Sequence, residues 1–238
     1  MRTIGFSTGA LAYSDFRRGL SILERMRIPA VELSALREDE LPILVQALAD
    51  IDLSQFSYVA FHAPSQLAKL SEQEAVHLLR QVAQRGIPVV LHPDIIEEFE
   101  PWAAFEELLL IENMDKRKRI GRTAHEMGAL FEKLPLARLC FDLGHARQID
   151  PSMNEAGLLL RTFGDRLKEI HISEVNTRSK HDPLTEGAIY SFQKVSRLIP
   201  EFIPIILESP VTEDRVSAEI LAAEEALSTQ GNLRLASA

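Results

Sequence analysis

Cysteine and long apolar runs are what this sequence most lacks. Its 238 residues include a single cysteine, Cys140, so no disulfide can form within the chain and nothing calls for an oxidising compartment. No apolar run is close to the length of about 18 residues that a membrane-spanning helix needs. The first residues, Met1 to Phe6, lack the apolar core of a signal peptide. The sequence therefore predicts a cytoplasmic protein that does not enter a membrane.

Positive charge is also scarce. Lys and Arg total 26 against 35 Asp and Glu, which gives a formal net charge of −9. At long range such a surface repels nucleic acid and anionic membranes, although a local basic patch can override this effect. The balance favours a small-molecule substrate over a nucleic acid partner. It leaves open whether the chain forms a homo-oligomer.

The sequence has no segment that reads as a linker between domains. It contains no Gly/Ser/Pro-rich stretch, low-complexity tract or shift in composition, and its 46% hydrophobic content can fill one sizeable core. We interpret residues 1–238 as a single domain.

Short apolar runs alternate with longer segments of helical periodicity, and this alternation repeats eight times. The predicted strands are Thr3–Ser7, Pro29–Leu33, Tyr58–His62, Ile87–His92, Leu108–Glu112, Arg138–Asp142, Leu167–His171 and Pro204–Glu208. Eight such units predict an α/β fold, a single (β/α)8 TIM barrel. The alternative is a doubly wound open sheet. That fold usually has a Gly-x-Gly-x-x-Gly turn after its first strand, and Ser7-Thr8-Gly9-Ala10 lacks this spacing.

Five of the seven histidines lie at or just beyond a predicted strand end. His77 and His125 instead lie within helical segments, and we assign them no functional role. In (β/α)8 enzymes the catalytic groups come from the carboxyl ends of the strands. The five histidines at these positions are His62, His92, His145, His171 and His181.

Carboxylates end the strands on the same rim. Glu112, Asp142 and Glu208 end the fifth, sixth and eighth predicted strands, and His171 ends the seventh. In a closed barrel these side chains point at one volume, where three carboxylates repel each other unless a cation neutralises them. Asp142 also opens an Asp-x-x-His motif, in which Gly144 predicts a turn that brings the imidazole back toward the carboxylate. The pattern predicts a divalent metal site.

The ordered set of strand-end residues resembles the xylose-isomerase-like TIM barrel superfamily. This group includes sugar phosphate isomerases and epimerases and the endonuclease IV-type AP endonucleases (family 2). The resemblance runs from the third to the eighth predicted strand and indicates the superfamily rather than one activity. The residues that carry it are His62, His92, Glu112, Asp142, His145, His171, His181 and Glu208.

The resemblance implies two alternative sites. In the epimerases one cation is held by the equivalents of Glu112, Asp142, His171 and Glu208, and the two glutamates also act as catalytic proton carriers around an enediolate. Oxygen-rich ligands of this kind suit Mn²⁺, Co²⁺ or Mg²⁺. In the endonuclease IV pattern Glu112 bridges zinc ions that hydrolyse a phosphodiester. There the histidine pair His62 and His92 helps to hold one zinc, and the pair His145 and His181 helps to hold another.

Three loops on the same rim argue against a polyanionic substrate. Residues 34–40 are acidic, residues 63–69 carry one positive charge and no aromatic side chain, and residues 94–100 carry four acids and no base. We therefore expect an isomerase or epimerase that acts on a sugar or related polyhydroxy carbonyl compound. The alternatives are a zinc-dependent phosphoesterase of the endonuclease IV type and a metal- or ligand-binding barrel without turnover.

Four side chains are candidates for substrate contacts. Lys118 belongs to the basic cluster 116–119 and could anchor a phosphate group. Arg147 and Arg178 follow candidate metal ligands. Trp102 is either a hydrophobic cap together with Phe99 and Phe105 or a side chain that stacks on a sugar ring. Cys140 shares a strand face with Asp142, so we interpret it as a small residue inside the barrel.

One departure from the endonuclease IV pattern bears on the number of metals. That pattern has Asp-x-His after the seventh strand, whereas this chain has Ser179-Lys180-His181. A neutral serine is a poor zinc ligand, and Lys180 adds positive charge. Asp182 could substitute only if the loop shifts. We therefore expect one or two strongly bound divalent ions per chain (Mn, Co, Mg or Zn), with His62 and His92 contributing to the second.

Overall fold

A computed structural model describes residues 2–228, so Met1 and residues 229–238 of the predicted domain lie outside the described part. Eight parallel strands close into a barrel in the order β1-β10-β7-β6-β5-β4-β3-β2, with helices between them. The predicted (β/α)8 barrel is confirmed. The barrel strands are β1 (Ile4–Ser7), β2 (Ala30–Ser34), β3 (Tyr58–His62), β4 (Val89–Leu91), β5 (Leu109–Glu112), β6 (Arg138–Asp142), β7 (Leu167–Ile172) and β10 (Ile205–Leu207).

Ten α-helices surround the barrel within the described residues. Their bounds are α1 (Thr8–Ala12), α2 (Phe16–Arg25), α3 (Glu40–Ala47), α4 (Glu72–Ala83), α5 (Phe99–Ala103), α6 (Ala124–Lys133), α7 (Leu143–Ile149), α8 (Asn154–Phe163), α9 (Glu186–Gln193) and α10 (Val216–Ala226). Among them, none combines the length and apolar composition of a membrane-crossing helix.

The structure differs from the predicted elements mainly where prolines and loops intervene. Strands β4 and β10 are shorter than predicted, because Pro88 and Pro204 have no N–H to donate at their starts. The loop after β7 contains an unpredicted antiparallel hairpin made of β8 (Glu174–Val175) and β9 (His181–Asp182).

Each barrel strand separates an apolar outer face from a mixed inner face. Outward residues such as Phe6, Phe61 and Phe141 are fully buried in the large core between strands and helices. Inside the barrel, Cys140 packs with Val90 and Leu110 in a small separate cluster. The predicted interior position of Cys140 is confirmed. The outer layer therefore supplies most of the apolar burial, and the inner layer is free to carry polar groups.

The register between β6 and β7 shifts by one residue. Leu139 pairs with Leu167, but Cys140 pairs with Glu169, so the register passes over Lys168. Without this irregularity Glu169 would align with Phe141 and face outward. The shift instead turns Glu169 and His171 into the barrel, which is the kind of re-aiming that β-bulges produce near functional sites.

Gly5 tests how tightly the barrel is closed. A Cβ at this position would lie 1.9 Å from the carbonyl oxygen of Ala30 on the neighbouring strand. We expect Gly5→Ala to lower the free energy of unfolding by at least about 1–3 kcal/mol, because backbone atoms rather than flexible side chains must move. Chemical denaturation measures this change.

Gly128→Ala is the matched control for that variant. Its Cβ would meet only Phe163 Cζ, at 3.7 Å, and alanine favours a helix interior by up to about 1 kcal/mol over glycine. We expect no loss of stability there. Equal stabilities for the two variants would contradict the close approach at Gly5.

Candidate metal centre

A cavity of about 980 Å³ opens at the carboxyl ends of the strands. Its floor includes His62, His92, His145, His181 and Glu208, and loops after several strands form its walls. All five lie where the strand-end pattern predicted polar groups. The position of this cavity is that of the active site in (β/α)8 enzymes.

Glu112, Asp142, His171 and Glu208 come together beneath this cavity. Each offers one ligand atom, and the four atoms lie within 4.8 Å of one another. Among the described residues, each of the four also has a buried atom without a hydrogen-bond partner, namely Glu112 Oε1, Asp142 Oδ2, His171 Nδ1 and Glu208 Oε2. Buried polar atoms are rarely left without a partner, so these four atoms are suited to act as the ligands of a cation.

Glu112 lies at the centre of the imidazoles. Its Oε2 is 3.2 Å from His62 Nε2 and 3.0 Å from His92 Nε2, and its Oε1 is 3.2 Å from His145 Nδ1. Burial alone would raise the pKa of Glu112. The charge of His92 and the closeness of His145 and His171 outweigh burial, so this pKa lies well below the ordinary value. Glu112 is therefore an anion fixed on the floor of the site.

Glu208 differs from Glu112 in both position and charge. Its side chain lines the cavity and is 15% exposed, whereas that of Glu112 is 1% exposed. Its Oε2 lies 3.5 Å from His171 Nδ1 and 3.5 Å from His181 Nδ1. Burial raises the pKa of Glu208 to about 8; His171 opposes this rise, and the negative charge of Glu112 adds to it. Of the two glutamates, Glu208 is the one that a cavity ligand can reach.

Asp142 is fixed by two sets of hydrogen bonds. Its Oδ1 accepts from the backbone N–H of His145 at 2.5 Å and caps α7. The side chain of Asn113 accepts from the backbone N–H of Asp142 and donates to the backbone C=O of Asp142. The turn predicted at Gly144 is wrong, because α7 begins directly after Asp142. Gly144 is needed for another reason, since a Cβ there would lie 2.5 Å from Val175 Cγ2 in the hairpin.

His62, His92 and Glu112 form a second group whose ligand atoms lie within 4.8 Å of one another. Glu112 belongs to both groups. The His62 and His92 rings meet edge to face with their centroids 5.0 Å apart. Two further groups of this kind use some of the same side chains, namely His62, His171 and Glu208, and Cys140, Glu169 and His171. The candidate ligand sets at this site therefore overlap.

His145 and His181 pack together, and neither belongs to a candidate ligand group among residues 2–228. Their ring centroids are 5.5 Å apart, and His181 Nδ1 lies 2.7 Å from Ser173 Oγ. Burial and the charge of His145 lower the pKa of His181 to about 4. Ser179 Oγ donates to Gln148, and Asp182 accepts from Asn176, so the nearby oxygens already have partners.

The four candidate substrate contacts have different surroundings. Lys118 lines the cavity, where its Nζ is 2.7 Å from Asp94. The guanidinium of Arg147 lies between α7 and α9 and pairs with Glu174 and Ser191, and Arg178 is exposed on the hairpin turn. Neither arginine lines the cavity. The expectation that these two arginines contact substrate is therefore not supported by their placement.

The structure places Trp102 in the hydrophobic core, which agrees with a hydrophobic cap rather than with a side chain that stacks on a sugar. Its indole is fully buried, stacks on Phe105 with 5.6 Å between ring centroids, and donates from Nε1 to Glu72 at 2.6 Å. It lies outside the cavity. A tryptophan in a short helix packs inward here because Glu72 of α4 supplies the acceptor that its N–H needs.

The acidic loops are also used inside the protein. Glu38 accepts hydrogen bonds from the backbone N–H groups of residues 68–70, Asp94 pairs with Lys118, and Asp115 pairs with Arg117. Part of this negative charge is therefore engaged locally, and Arg119 and Lys180 add positive charge to the cavity wall. The rim is mixed in charge rather than acidic, so it argues less strongly against an anionic substrate than the sequence did.

The strand-end pattern assigned no role to two buried acids of the barrel interior, although Glu32 lies near the end of the second predicted strand. Glu32 Oε2 and Glu169 Oε1 both approach Nε2 of His171, at 3.0 and 2.8 Å. Both lie within strands rather than at their ends. The two-residue spacing between Glu169 and His171, which places them on one strand face, is a sequence signal that could have found Glu169.

The role of Trp102 as a core residue can be tested directly. Trp102→Phe removes the hydrogen bond to Glu72 and part of the packed ring, and we expect it to lower stability by about 2 kcal/mol. Metal content and ligand binding should stay at the wild-type level, measured on the same preparation. A selective loss of ligand binding without loss of stability would restore the stacking role.

Known structures share this architecture at low sequence identity. Endonuclease IV from Thermus thermophilus is 18% identical over 95% of this chain and 99% of its own, with a TM-score of 0.61. The IolI protein with a bound zinc atom is 13% identical over 96% and 98%, with a TM-score of 0.67. The 3-keto-D-glucoside 4-epimerase YcjR from E. coli is 11% identical over 95% and 99%, with a TM-score of 0.57. At these identities the likeness shows the fold.

Sequence comparison places the chain in a family. No curated protein matches it. The model of the xylose isomerase-like TIM barrel family matches residues 95–229, more than half of the chain, and this stretch contains both glutamates of the candidate centre as well as Asp142 and His171. This chain belongs to the xylose isomerase-like TIM barrel family.

Proposed function

We propose that this chain is a divalent-metal-dependent isomerase or epimerase acting on a sugar or a related polyhydroxy carbonyl compound. The observation that carries the proposal is the cluster of Glu112, Asp142, His171 and Glu208, in which each residue has an unpartnered buried atom. Three carboxylates in one buried volume need a compensating charge that the neighbouring imidazoles supply only in part.

These four residues would hold the cation. Three carboxylates and one imidazole form an oxygen-rich set that suits Mn²⁺, Co²⁺ or Mg²⁺, and Zn²⁺ also accepts these ligand types. The zinc atom in the structurally similar IolI protein supports a cation in a barrel of this kind. When bound, the ion supplies a Lewis acid that polarises a carbonyl group and acidifies the neighbouring C–H.

Glu208 is the better placed of the two candidate catalytic glutamates to move a proton. It lines the cavity, whereas Glu112 lies on the floor among three imidazoles. A positive charge held in the cluster would favour the ionised form of Glu208. An ionised carboxylate at the cavity wall can take a proton from a substrate carbon and return it to the adjacent atom, as isomerisation requires. We assign this step to Glu208 and assign Glu112 chiefly to holding the cation.

The cavity suits a hydroxyl-rich ligand with an anionic group. Its volume of about 980 Å³ exceeds the need of a single small sugar, and its wall includes both acids (Asp94, Asp115 and Glu208) and bases (Arg119 and Lys180). Carboxylates accept hydrogen bonds from hydroxyl groups, and the cations attract phosphate or carboxylate substituents. Phosphorylated and acidic sugars therefore belong in any substrate panel.

A second candidate function is phosphodiester hydrolysis by a multi-metal centre. The observation that favours it is the second ligand group, in which His62 and His92 meet Glu112. These residues would hold a second cation beside the first, and a pair of cations would supply the charge stabilisation that phosphoryl chemistry needs. The structural similarity to endonuclease IV is compatible with both candidates.

Asp142→Asn tests the four-residue site. The amide oxygen can still cap α7, so the fold should persist, but the negative ligand is lost. Loss of a residue that only hydrogen-bonds a metal ligand lowers metal affinity by about 10- to 100-fold. We expect a larger fall for Asp142→Asn, measured by dialysis and elemental analysis. Unchanged retention of the ion in a folded variant would exclude Asp142 as a ligand.

Exchange of substrate hydrogen with solvent tests the reaction class. In D₂O, the metal-loaded protein should catalyse deuterium incorporation into at least one compound of a panel of ketoses, sugar phosphates and keto acids. The deuterium should appear on the carbon next to the carbonyl group. Glu208→Gln should slow this exchange by at least about 10²-fold, because a positioned acid–base group contributes that much. Abasic duplex DNA should remain intact at moderate salt. Efficient nicking that Glu112→Gln abolishes would favour the hydrolase instead.

His92→Ala tests the metal count. If the second group is filled, the variant should retain one fewer equivalent than wild type, which itself should retain at most two after dialysis without added zinc. The four-residue group should keep its ion, since His92 does not belong to it. Three retained equivalents, with His145 and His181 both coordinating, would show that the loop after β7 does complete a third site.

A further inference from the structure

We propose that Glu32 and Glu169 are positioning residues that hold the His171 imidazole from within the barrel, so that its Nδ1 faces Glu112 and Glu208. The proposal rests on the proposed function only in one respect, namely that Nδ1 would be a ligand of the proposed cation. It deepens that function by assigning a role to two buried acids that touch neither the cavity nor the four-residue cluster's other members.

The contacts of the two ring nitrogens divide cleanly. His171 Nε2 lies 2.8 Å from Glu169 Oε1 and 3.0 Å from Glu32 Oε2. Its Nδ1 has no hydrogen-bond partner among the described residues and lies 3.5 Å from both Glu112 Oε1 and Glu208 Oε2. One edge of the ring therefore meets acids below it, and the other edge faces the candidate centre.

Hydrogen-bond chemistry indicates which nitrogen of the His171 ring carries the proton. A carboxyl oxygen that carries no proton can only accept a hydrogen bond, so a proton on Nε2 is the arrangement that gives Glu32 Oε2 and Glu169 Oε1 a donor. That arrangement leaves the Nδ1 lone pair available as a ligand. Carboxylate partners of this kind fix the orientation of metal-binding histidines and raise their basicity.

The acids are not explained by stability alone. Glu32, Glu169 and His171 are all fully buried in a barrel interior whose neighbouring positions hold Val90, Leu110 and Cys140. Glu32 Oε1 and Glu169 Oε2 have no hydrogen-bond partner among residues 2–228. Replacing such buried ionic groups with apolar residues of similar volume is often neutral or stabilising. A pair of acids kept here at a cost in burial points to a role in fixing the ring.

The register shift in β7 supports the same conclusion. It places both Glu169 and His171 inside the barrel, and Asp142 then pairs directly with His171 across the two strands. One irregularity therefore delivers the ligand and the acid beneath it together. A strand without the shift would direct Glu169 toward the outer core.

The test compares metal affinity with stability in Glu169→Leu and Glu32→Leu. Leucine has a similar volume but cannot accept a hydrogen bond from Nε2. We expect the affinity for Zn²⁺, titrated against a competing chelator, to fall by about 10- to 100-fold while the thermal midpoint of the metal-free protein stays unchanged or rises. Glu169→Gln, which keeps an acceptor oxygen, should lose less affinity than Glu169→Leu.

Glu219→Gln is the matched control. Glu219 lies on α10, away from the centre; it is also a buried acid, and it accepts from the backbone N–H of Leu184. Its substitution should leave Zn²⁺ affinity unchanged. If both leucine variants keep wild-type affinity, or if affinity merely follows stability in all variants including Glu219→Gln, the positioning role is overturned.

A measurement on metal-free protein separates this proposal from the proposed function. In ¹⁵N-labelled wild type, the Nε2 proton of His171 should give a downfield signal protected from exchange, and Glu169→Leu should shift or remove it. Absence of a proton on Nε2 overturns the positioning role whether or not metal binds. If wild type shows the protected proton but binds no divalent ion, the proposed function fails while the held ring remains. Should a leucine variant not fold, Glu169→Gln carries both measurements.

Discussion

The interaction on which this structure depends is the mutual attraction of buried carboxylates and imidazoles at one end of the barrel. Carboxylates so close repel each other, and each loses its hydration when buried, so the arrangement holds only where opposite charge is near. Imidazoles supply part of that charge, and the unpartnered atoms that remain point to a cation. The acids are Glu32, Glu112, Asp142, Glu169 and Glu208, and the imidazoles are His62, His92, His145, His171 and His181.

The barrel makes this concentration of charge tolerable by separating two layers. The outward faces of the strands form the large apolar core with the helices, so most of the hydrophobic stabilisation does not depend on the interior. The interior can then hold polar groups that would be costly elsewhere. Close backbone approaches at Gly5 and Gly144 keep the strands and the hairpin near enough for side chains from different strands to meet.

The sequence predicted the barrel and the members of the centre because both follow local rules. Apolar runs mark buried strands, and polar residues at their ends must converge once the barrel closes. What could not be predicted depends on which backbone or side chain a group meets in three dimensions. No sequence pattern marks the register shift beside Lys168. Trp102 turns inward because Glu72 lies beside it, and Glu38 accepts hydrogen bonds from backbone N–H groups of a neighbouring loop. A charge count of the loops could not reveal these local pairings.

The distinction between isomerase and phosphoesterase does not lie in the strands, because Glu112 serves both ligand groups and the same floor could support either chemistry. It lies in the loop after β7. There Ser179 is buried with a positive φ of 55° and bonds Gln148, while Asp182 bonds Asn176, so the oxygens that could complete a third site are engaged in holding the hairpin. Because the polar groups of this loop have partners in the hairpin and in α7, His145 and His181 line the cavity without belonging to a closed ligand set. This loop chemistry favours the smaller metal complement and so supports the isomerase that we propose over the phosphoesterase.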